Sequence, residues 1–273
     1  MGKVGIPPFA FGNDARLWYD DPREGHFLRF MLHVQTIGII GYGDFGKFLQ
    51  ALATTHFPEV AVRVSSSRFA PDGKTFFSIE EVCRTDILIL AVPISAFAEV
   101  VTQVTPLLGT QTILCDVATV KKYTVDILKS QQVPRFLATH PMFGPYSYEK
   151  RGKSLEGLRL AVCDTNLSTD EYSEIMLFFR KIGLSVLAMT SDEHDKLIAE
   201  TLFLTHLVGQ IVKKGKFERT SIDTISFGFL MDAVESVAHD EALFRDVFRY
   251  NPYCAEVLKR FEEGENQVKN SLS

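Results

Sequence analysis

The sequence predicts an α/β fold, a doubly wound parallel sheet followed by an all-helical C-terminal region. Three observations carry that reading. Short apolar runs alternate with helical stretches from residue 35 to about residue 189. A glycine-rich turn follows directly on the first apolar run. Near residue 190 the alternation gives way to long segments of helical periodicity.

The first apolar run, residues 34–40 (VQTIGII), is a strand, and residues 43–56 (GDFGKFLQALATTH) form a helix. Further strands are read at residues 59–65, 86–93, 112–117, 135–141, 158–163 and 185–189. These runs are short and β-branched and lack strict polar alternation, as strands covered on both faces do. Thr190-Ser191-Asp192-Glu193 has the form of a capping box, with Thr190 as N-cap and Glu193 three residues on. Helical patterns then fill residues 194–214, 227–240 and 256–270. The division predicted is an arm at residues 1–34, a nucleotide-binding domain at 35–189 and a helical substrate and dimerisation domain at 190–273.

Composition narrows the functional classes. The 273 residues are 46% hydrophobic and 23% charged, with a net charge of −5 and no basic block, which argues against nucleic acid or an anionic membrane as partner. Cys83, Cys115, Cys163 and Cys254 are far apart, so neither a disulfide framework nor a zinc site is expected, and no metal is. No run reaches the roughly 18 apolar residues that a membrane span needs. Residues 1–34 carry Pro7-Pro8 and several charges, and resemble neither a secretory signal nor a transit peptide. A cytoplasmic location is therefore expected, or a plastid one if a transit peptide has been removed. Phe9, Phe11, Trp18 and Tyr19 suit packing of this arm on a partner subunit; a mobile tail is an equal alternative.

The glycine turn reads Gly41-Tyr42-Gly43-Asp44-Phe45-Gly46. It lies after a strand and opens a helix, as a Rossmann-type dinucleotide site requires. Gly41 permits the tight turn, Gly43 lets backbone approach a pyrophosphate, and Gly46 lets helix and strand pack closely. The helix N-terminus then offers free N–H groups and a positive dipole end. An NAD site would carry an acid at the end of the second strand; here stand Ser66, Ser67 and Arg68, which suit a 2′-phosphate. NADP is the expected cofactor. Val92 and Pro93, after a later strand, are expected to line its nicotinamide side.

Asp116-Val117-Ala118-Thr119-Val120-Lys121, followed by Thr139-His140-Pro141-Met142-Phe143-Gly144-Pro145, resembles the prephenate/arogenate dehydrogenase family, and the HPMFGP form is most similar to plant-type arogenate dehydrogenases. His194-Asp195, His206 and the run Phe244-Arg245-Asp246-Val247-Phe248 extend the resemblance. It implies oxidative decarboxylation of a cyclohexadienyl ring, with hydride leaving C4 and the ring carboxylate leaving as CO2. It makes His140 the base, Thr119 a partner of the same hydroxyl or of His140, and His206 a substrate contact. By the same resemblance Asp223, followed by Thr224, pairs with the amino group of arogenate, where prephenate has a keto group; a helix N-cap is the other reading of Asp223. The family's basic residue just after this point is missing, since the run is Thr224-Ile225-Ser226-Phe227, leaving Arg245, Arg249, Lys150 and Lys153 as candidates for the substrate carboxylate. A homodimer through the helical domain is implied. Prephenate as substrate, another NADP-linked dehydrogenase of this plan, and a silent NADP-binding sensor remain as alternatives.

Overall fold

The computed structural model describes residues 34–237 and 239–273, so the arm expected at residues 1–34 lies outside the described residues but for Val34. Strand β1 (Thr36–Ile40) leads into helix α1 (Asp44–His56), and β2 (Ala61–Ser65) pairs in parallel with β1. A folded loop and the short helix α2 (Ile79–Val82) precede β3 (Ile87–Leu90), which pairs with the other edge of β1. After α3 (Phe97–Val104), β4 (Ile113–Asp116) and α4 (Lys122–Ser130), β5 (Phe136–Pro141) joins β4 in parallel. The chain continues through α5 (Pro145–Lys150), β6 (Arg159–Thr165), α6 (Thr169–Lys181) and β7 (Ser185–Ala188). The sheet order is β2-β1-β3-β4-β5-β6-β7. Its direction of growth reverses between β1 and β3, which makes the C-terminal edge there the ligand crevice of an open α/β sheet.

One expectation needs correcting. The sheet is not wholly parallel: β6 runs antiparallel to β5, with His140 opposite Ala161 and Thr139 opposite Val162. A parallel partner requires a crossover back to the start of the preceding strand. The connection here holds only α5 and a loop, so β6 starts beside the end of β5 and runs back. The longer α6 then carries the chain across, and β7 is parallel to β6.

Both sheet faces are covered, which is why the strand sequences do not alternate. On one face Leu88, Leu90 and Leu114 pack with Phe97, Val101, Val104 and Phe136. On the other, Ile113, Leu137, Leu160 and Val162 pack with Phe48, Ile175 and Met176.

From Ser191 onward every described element is helical: α7 (Ser191–Ile198), a π turn (Ala199–Phe203), α8 (Leu204–Lys214), α9 (Ile225–Val237), α10 (Glu241–Tyr250) and α11 (Cys254–Ser271). The capping box is present. Thr190 Oγ1 accepts from the Glu193 N–H at 3.2 Å, and the Glu193 carboxylate accepts from the Thr190 N–H at 2.9 Å. A third core joins the two halves: Ile94 and Val120, just beyond β3 and β4, are buried among Ile198, Phe203, Val247 and Val257. Full burial of one such side chain is worth about 1.5–3 kcal/mol, against about 0–1 kcal/mol for an exposed ion pair. Apolar packing therefore seats the helices on the sheet edge, and exposed bridges such as Arg260–Glu200 add little. All four cysteines are free thiols, and no described helix is long and apolar enough to cross a membrane.

Candidate active site

Two loops at the C-terminal edge of the sheet meet at the glycine turn. Gly41 has φ of +103°, and a Cβ there would lie 2.2 Å from the Ala91 carbonyl oxygen. A Cβ on Gly46 would lie 2.1 Å from the Gly41 carbonyl oxygen. Both positions must be glycine for the protein's own packing, and they hold Ala91 and Val92 against the turn. Gly43 differs. Its φ is −75°, which any residue adopts, and a Cβ there would meet nothing within 4 Å. It sits at the N-terminus of α1, where no side chain caps the helix. The space it leaves, in front of free N–H groups, fits a pyrophosphate. Beside it, Ser66 is half-buried and Ser67 and Arg68 are exposed beyond the end of β2. Tyr42, Phe69 and Phe76 form an aromatic cluster next to them: Phe69 stacks on Phe76 with centroids 4.7 Å apart, and Tyr42 meets both edge-on. The Asp72 carboxylate shapes this loop by accepting from the N–H groups of Lys74, Thr75 and Phe76.

The second constellation lies where β4 and β5 end. Asp116 and Lys121 form an ion pair, both side chains wholly buried. Lys121 Nζ also donates to the Thr139 carbonyl at 2.7 Å, and Thr139 Oγ1 donates to the Asp116 carbonyl at 2.9 Å. The pair fixes the β4 loop to β5 one residue before His140. That ring is buried, and its Nδ1 lies 3.0 Å from His194 Nε2. His194 Nδ1 in turn lies 2.8 Å from Asp195 Oδ1. The Asp195 carboxylate accepts from the backbone N–H groups of Lys121 at 2.8 Å and Lys122 at 2.9 Å. Burial, then the neighbouring His194 ring and Lys121, hold His140 well below the ordinary histidine value of 6.5. At neutral pH it is a free base. Thr119, half-buried, lies three residues beyond β4 on the loop beside it, and its hydroxyl has no hydrogen-bond partner among the described residues.

Known proteins resemble this chain in sequence and in fold. Residues 72–186 match the nucleotide-binding domain of prephenate dehydrogenase, and residues 211–273 match a TYRAAT1-like C-terminal domain. The chain is 30% identical over 257 residues to arogenate dehydrogenase 1, chloroplastic, of Arabidopsis thaliana, covering 86% of this chain and 39% of that protein. Arogenate dehydrogenase 2, chloroplastic, of the same plant is 26% identical over 249 residues, covering 86% of this chain and 69% of the relative. Over these spans the chain resembles the prephenate/arogenate dehydrogenase family. It thus spans 39% of the length of the first of these relatives. Its fold matches the crystal structure of A. aeolicus prephenate dehydrogenase in complex with hydroxyphenyl propionate and NAD+, with a TM-score of 0.66 at 18% identity over 87% of this chain and 90% of that one.

Within this prephenate/arogenate dehydrogenase fold, not all expected site residues stand together. Val92 lies against Gly41 at the glycine turn and Pro93 follows it in sequence, while Thr119 lies on the loop after β4 and His140 near the end of the neighbouring strand β5. His206 lies on α8, parallel to the Phe244 ring with centroids 6.4 Å apart, and its buried Nδ1 has no partner. Burial lowers its pKa from the ordinary 6.5. No described hydrogen bond or ring contact links it to His140. Asp223 and Thr224 are exposed beyond α8. The helix cap falls to Thr224 rather than Asp223: Thr224 Oγ1 accepts from the Phe227 N–H at 3.3 Å, while Asp223 Oδ1 turns back to Thr220. Among the four candidate cations, Lys153 pairs with Glu149, Lys150 lies over Tyr146 and Arg249 over Tyr250. Arg245 has no described partner, and it follows Phe244 on α10. Sequence reading noted His194-Asp195 and Lys121 only as parts of motifs; their joint burial against His140 came from the structure.

Proposed function

We propose that this protein is an NADP-dependent arogenate dehydrogenase, oxidatively decarboxylating arogenate to tyrosine. The observation that carries the reading is a buried histidine held neutral on the sheet edge that also bears the open glycine turn. When bound, the nicotinamide supplies the hydride acceptor for C4 of the ring. Gly43 and the N-terminus of α1 receive the pyrophosphate, and Ser66, Ser67 and Arg68 receive the 2′-phosphate. His140 Nε2 takes the proton of the C4 hydroxyl as hydride leaves that carbon. Loss of the ring carboxylate as CO2 returns its electron pair to the ring, and His140 gives the proton back to the resulting phenolate oxygen. Thr119 holds the same hydroxyl. His206, with its unpartnered Nδ1, contacts the substrate side chain, and Arg245 is the cation for a substrate carboxylate.

Asp223 supports arogenate over prephenate, because a carboxylate pairs with an amino group and gains nothing from a keto group. In a single chain Asp223 is exposed and its described hydrogen bonds go to Thr220, none to the His140 cluster, so this role asks for a second copy. The same segment favours a homodimer: Ile225 is 80% exposed and Phe229 71% exposed on α9. They adjoin an apolar groove lined by Leu204, Val208, Leu230 and Val234.

The test is NADPH formation at 340 nm with arogenate and with prephenate, each with NADP and with NAD. Arogenate and NADP are expected to give the highest kcat/KM. Turnover of prephenate alone removes the role of Asp223 and keeps the chemistry. No turnover of either, with NADP bound, refutes the reading. His140→Asn is expected to lower kcat by about two to four orders of magnitude with NADP affinity unchanged.

A further inference from the structure

We infer that His194 and Asp195 set the tautomer of His140, and that Asp195 supplies the counter-charge for the proton His140 takes. This rests on His140 being the base proposed above, but the geometry stands apart from any substrate. Backbone N–H groups only donate, so the two N–H groups that reach Asp195 require both its oxygens to accept. His194 Nδ1, 2.8 Å from one of those oxygens, therefore carries the hydrogen. A neutral imidazole has one N–H, so His194 Nε2 presents a lone pair to His140 Nδ1 at 3.0 Å. His140 Nδ1 then carries its hydrogen, and its Nε2 is left bare to receive the substrate proton. Reversing any one of these bonds would place the hydrogen on His140 Nε2 and abolish the base. The logic is that of a carboxylate behind a catalytic histidine, extended by one ring.

Charge points the same way. Besides His140 and His194, the groups facing this cluster are Lys121 and Asp116 from the β4 side, Cys163 from β6, and Asp195 from α7. Burial pushes the Cys163 thiol up to about 12, so it is neutral. Lys121 is taken by Asp116. Asp195 is left with two N–H groups and a neutral ring, a buried carboxylate whose balancing charge arrives when His140 is protonated. Its position is rigid, since Asn251 Nδ2 donates to the Asp195 carbonyl at 2.8 Å and α7 continues directly from it.

Asp195→Asn tests this. The amide offers the ring an N–H as readily as an oxygen, and it carries no charge. The expected result is a kcat lower by about 10²–10⁴-fold with KM for NADP little changed. The acid limb of the kcat/KM profile also moves to lower pH, because loss of the carboxylate destabilises protonated His140. A structural defect would lower the plateau without moving the limb. Nitrogen NMR of 15N-histidine-labelled protein reads the same claim without substrate: His140 with hydrogen on Nδ1 in the wild type, and on Nε2 in the variant. Wild-type His140 with its hydrogen on Nε2 overturns the inference, whatever the activity. Absent turnover of arogenate and prephenate refutes the proposed function and leaves the NMR reading to decide the relay. If Asp195→Asn does not fold, His194→Gln replaces it; it keeps an acceptor for His140 but cannot couple to Asp195. A loss of kcat with the limb displaced supports the relay, and an unmoved limb overturns it.

Discussion

Gly43 separates what the protein's packing demands from what a ligand demands. Consider Gly43→Ala. Its φ of −75° suits alanine, and the added methyl meets no protein atom within 4 Å. Removing a glycine lowers the entropy of the unfolded chain and gains about 0.4–1 kcal/mol. Against this, alanine is a poorer N-cap than glycine by roughly 0.5–1 kcal/mol. The two effects offset, so the melting temperature should stay within about 2–4 °C of the wild type. Cofactor binding should not be spared. The methyl projects where the pyrophosphate meets the N-terminus of α1, and displacing it weakens one or two charge-assisted bonds worth about 1.5–3 kcal/mol each. The dissociation constant for NADP should therefore rise by about 10- to 1,000-fold, with each 1.4 kcal/mol counting for tenfold. Calorimetric titration with NADP, beside a thermal melt, measures both. Unaltered affinity would mean that the dinucleotide does not approach Gly43, and the account of the turn would be wrong. Gly46→Ala is the internal contrast: its methyl would lie 2.1 Å from the Gly41 carbonyl oxygen, so the melt itself should fall.

Arg68→Ala should weaken NADP by about tenfold or more and leave NAD untouched, since only the 2′-phosphate is lost as a partner; comparing KM for the two cofactors checks it. Asp223→Asn should lower the ratio of specificity constants for arogenate over prephenate by roughly tenfold, and an unaltered ratio removes Asp223 from substrate choice. Stability should fall as pH drops below 6.5. His56, His140 and His206 all sit below the ordinary value of 6.5, chiefly through burial. Below that value the unfolded chain binds protons the folded chain refuses, so acid favours unfolding and the stabilisation is fully present only above it. Melts at pH 7.5 and 5.0 test this, and an equal or higher melting temperature at pH 5.0 refutes it.

How much of this was legible in the sequence follows from how local each cause is. The glycine turn could be read because strand, turn and helix start lie within a dozen residues and each glycine has its own steric reason. The capping box at Thr190 and Glu193 is equally local. The antiparallel course of β6 was missed because strand direction depends on where the preceding connection leaves the chain, which apolar patterning does not encode. His194-Asp195 lies 54 residues beyond His140. Nothing in either segment announces that a ring from one will hold a ring from the other; only the packing of α7 on the sheet edge joins them. Asp223 fell to the same limit in reverse: its neighbours in sequence suggest a cap, and the three-dimensional turn hands that task to Thr224.

The π turn at Ala199–Phe203 sets the phase of everything after it. An unbroken α-helix turns about 100° per residue, so the twelve residues from His194 to His206 would leave the two rings about 120° apart around the axis. One wide turn takes up roughly one extra residue, removes about 100° of that rotation and brings both rings to one side. Deleting a single residue within 199–203 would then let the helix close into regular turns with the two rings still about 20° apart, whereas twelve residues wound regularly would put His206 about 120° from the face that His194 shares with His140. The reach of the site from one end of this long helix to the other is thus kept by a single wide turn.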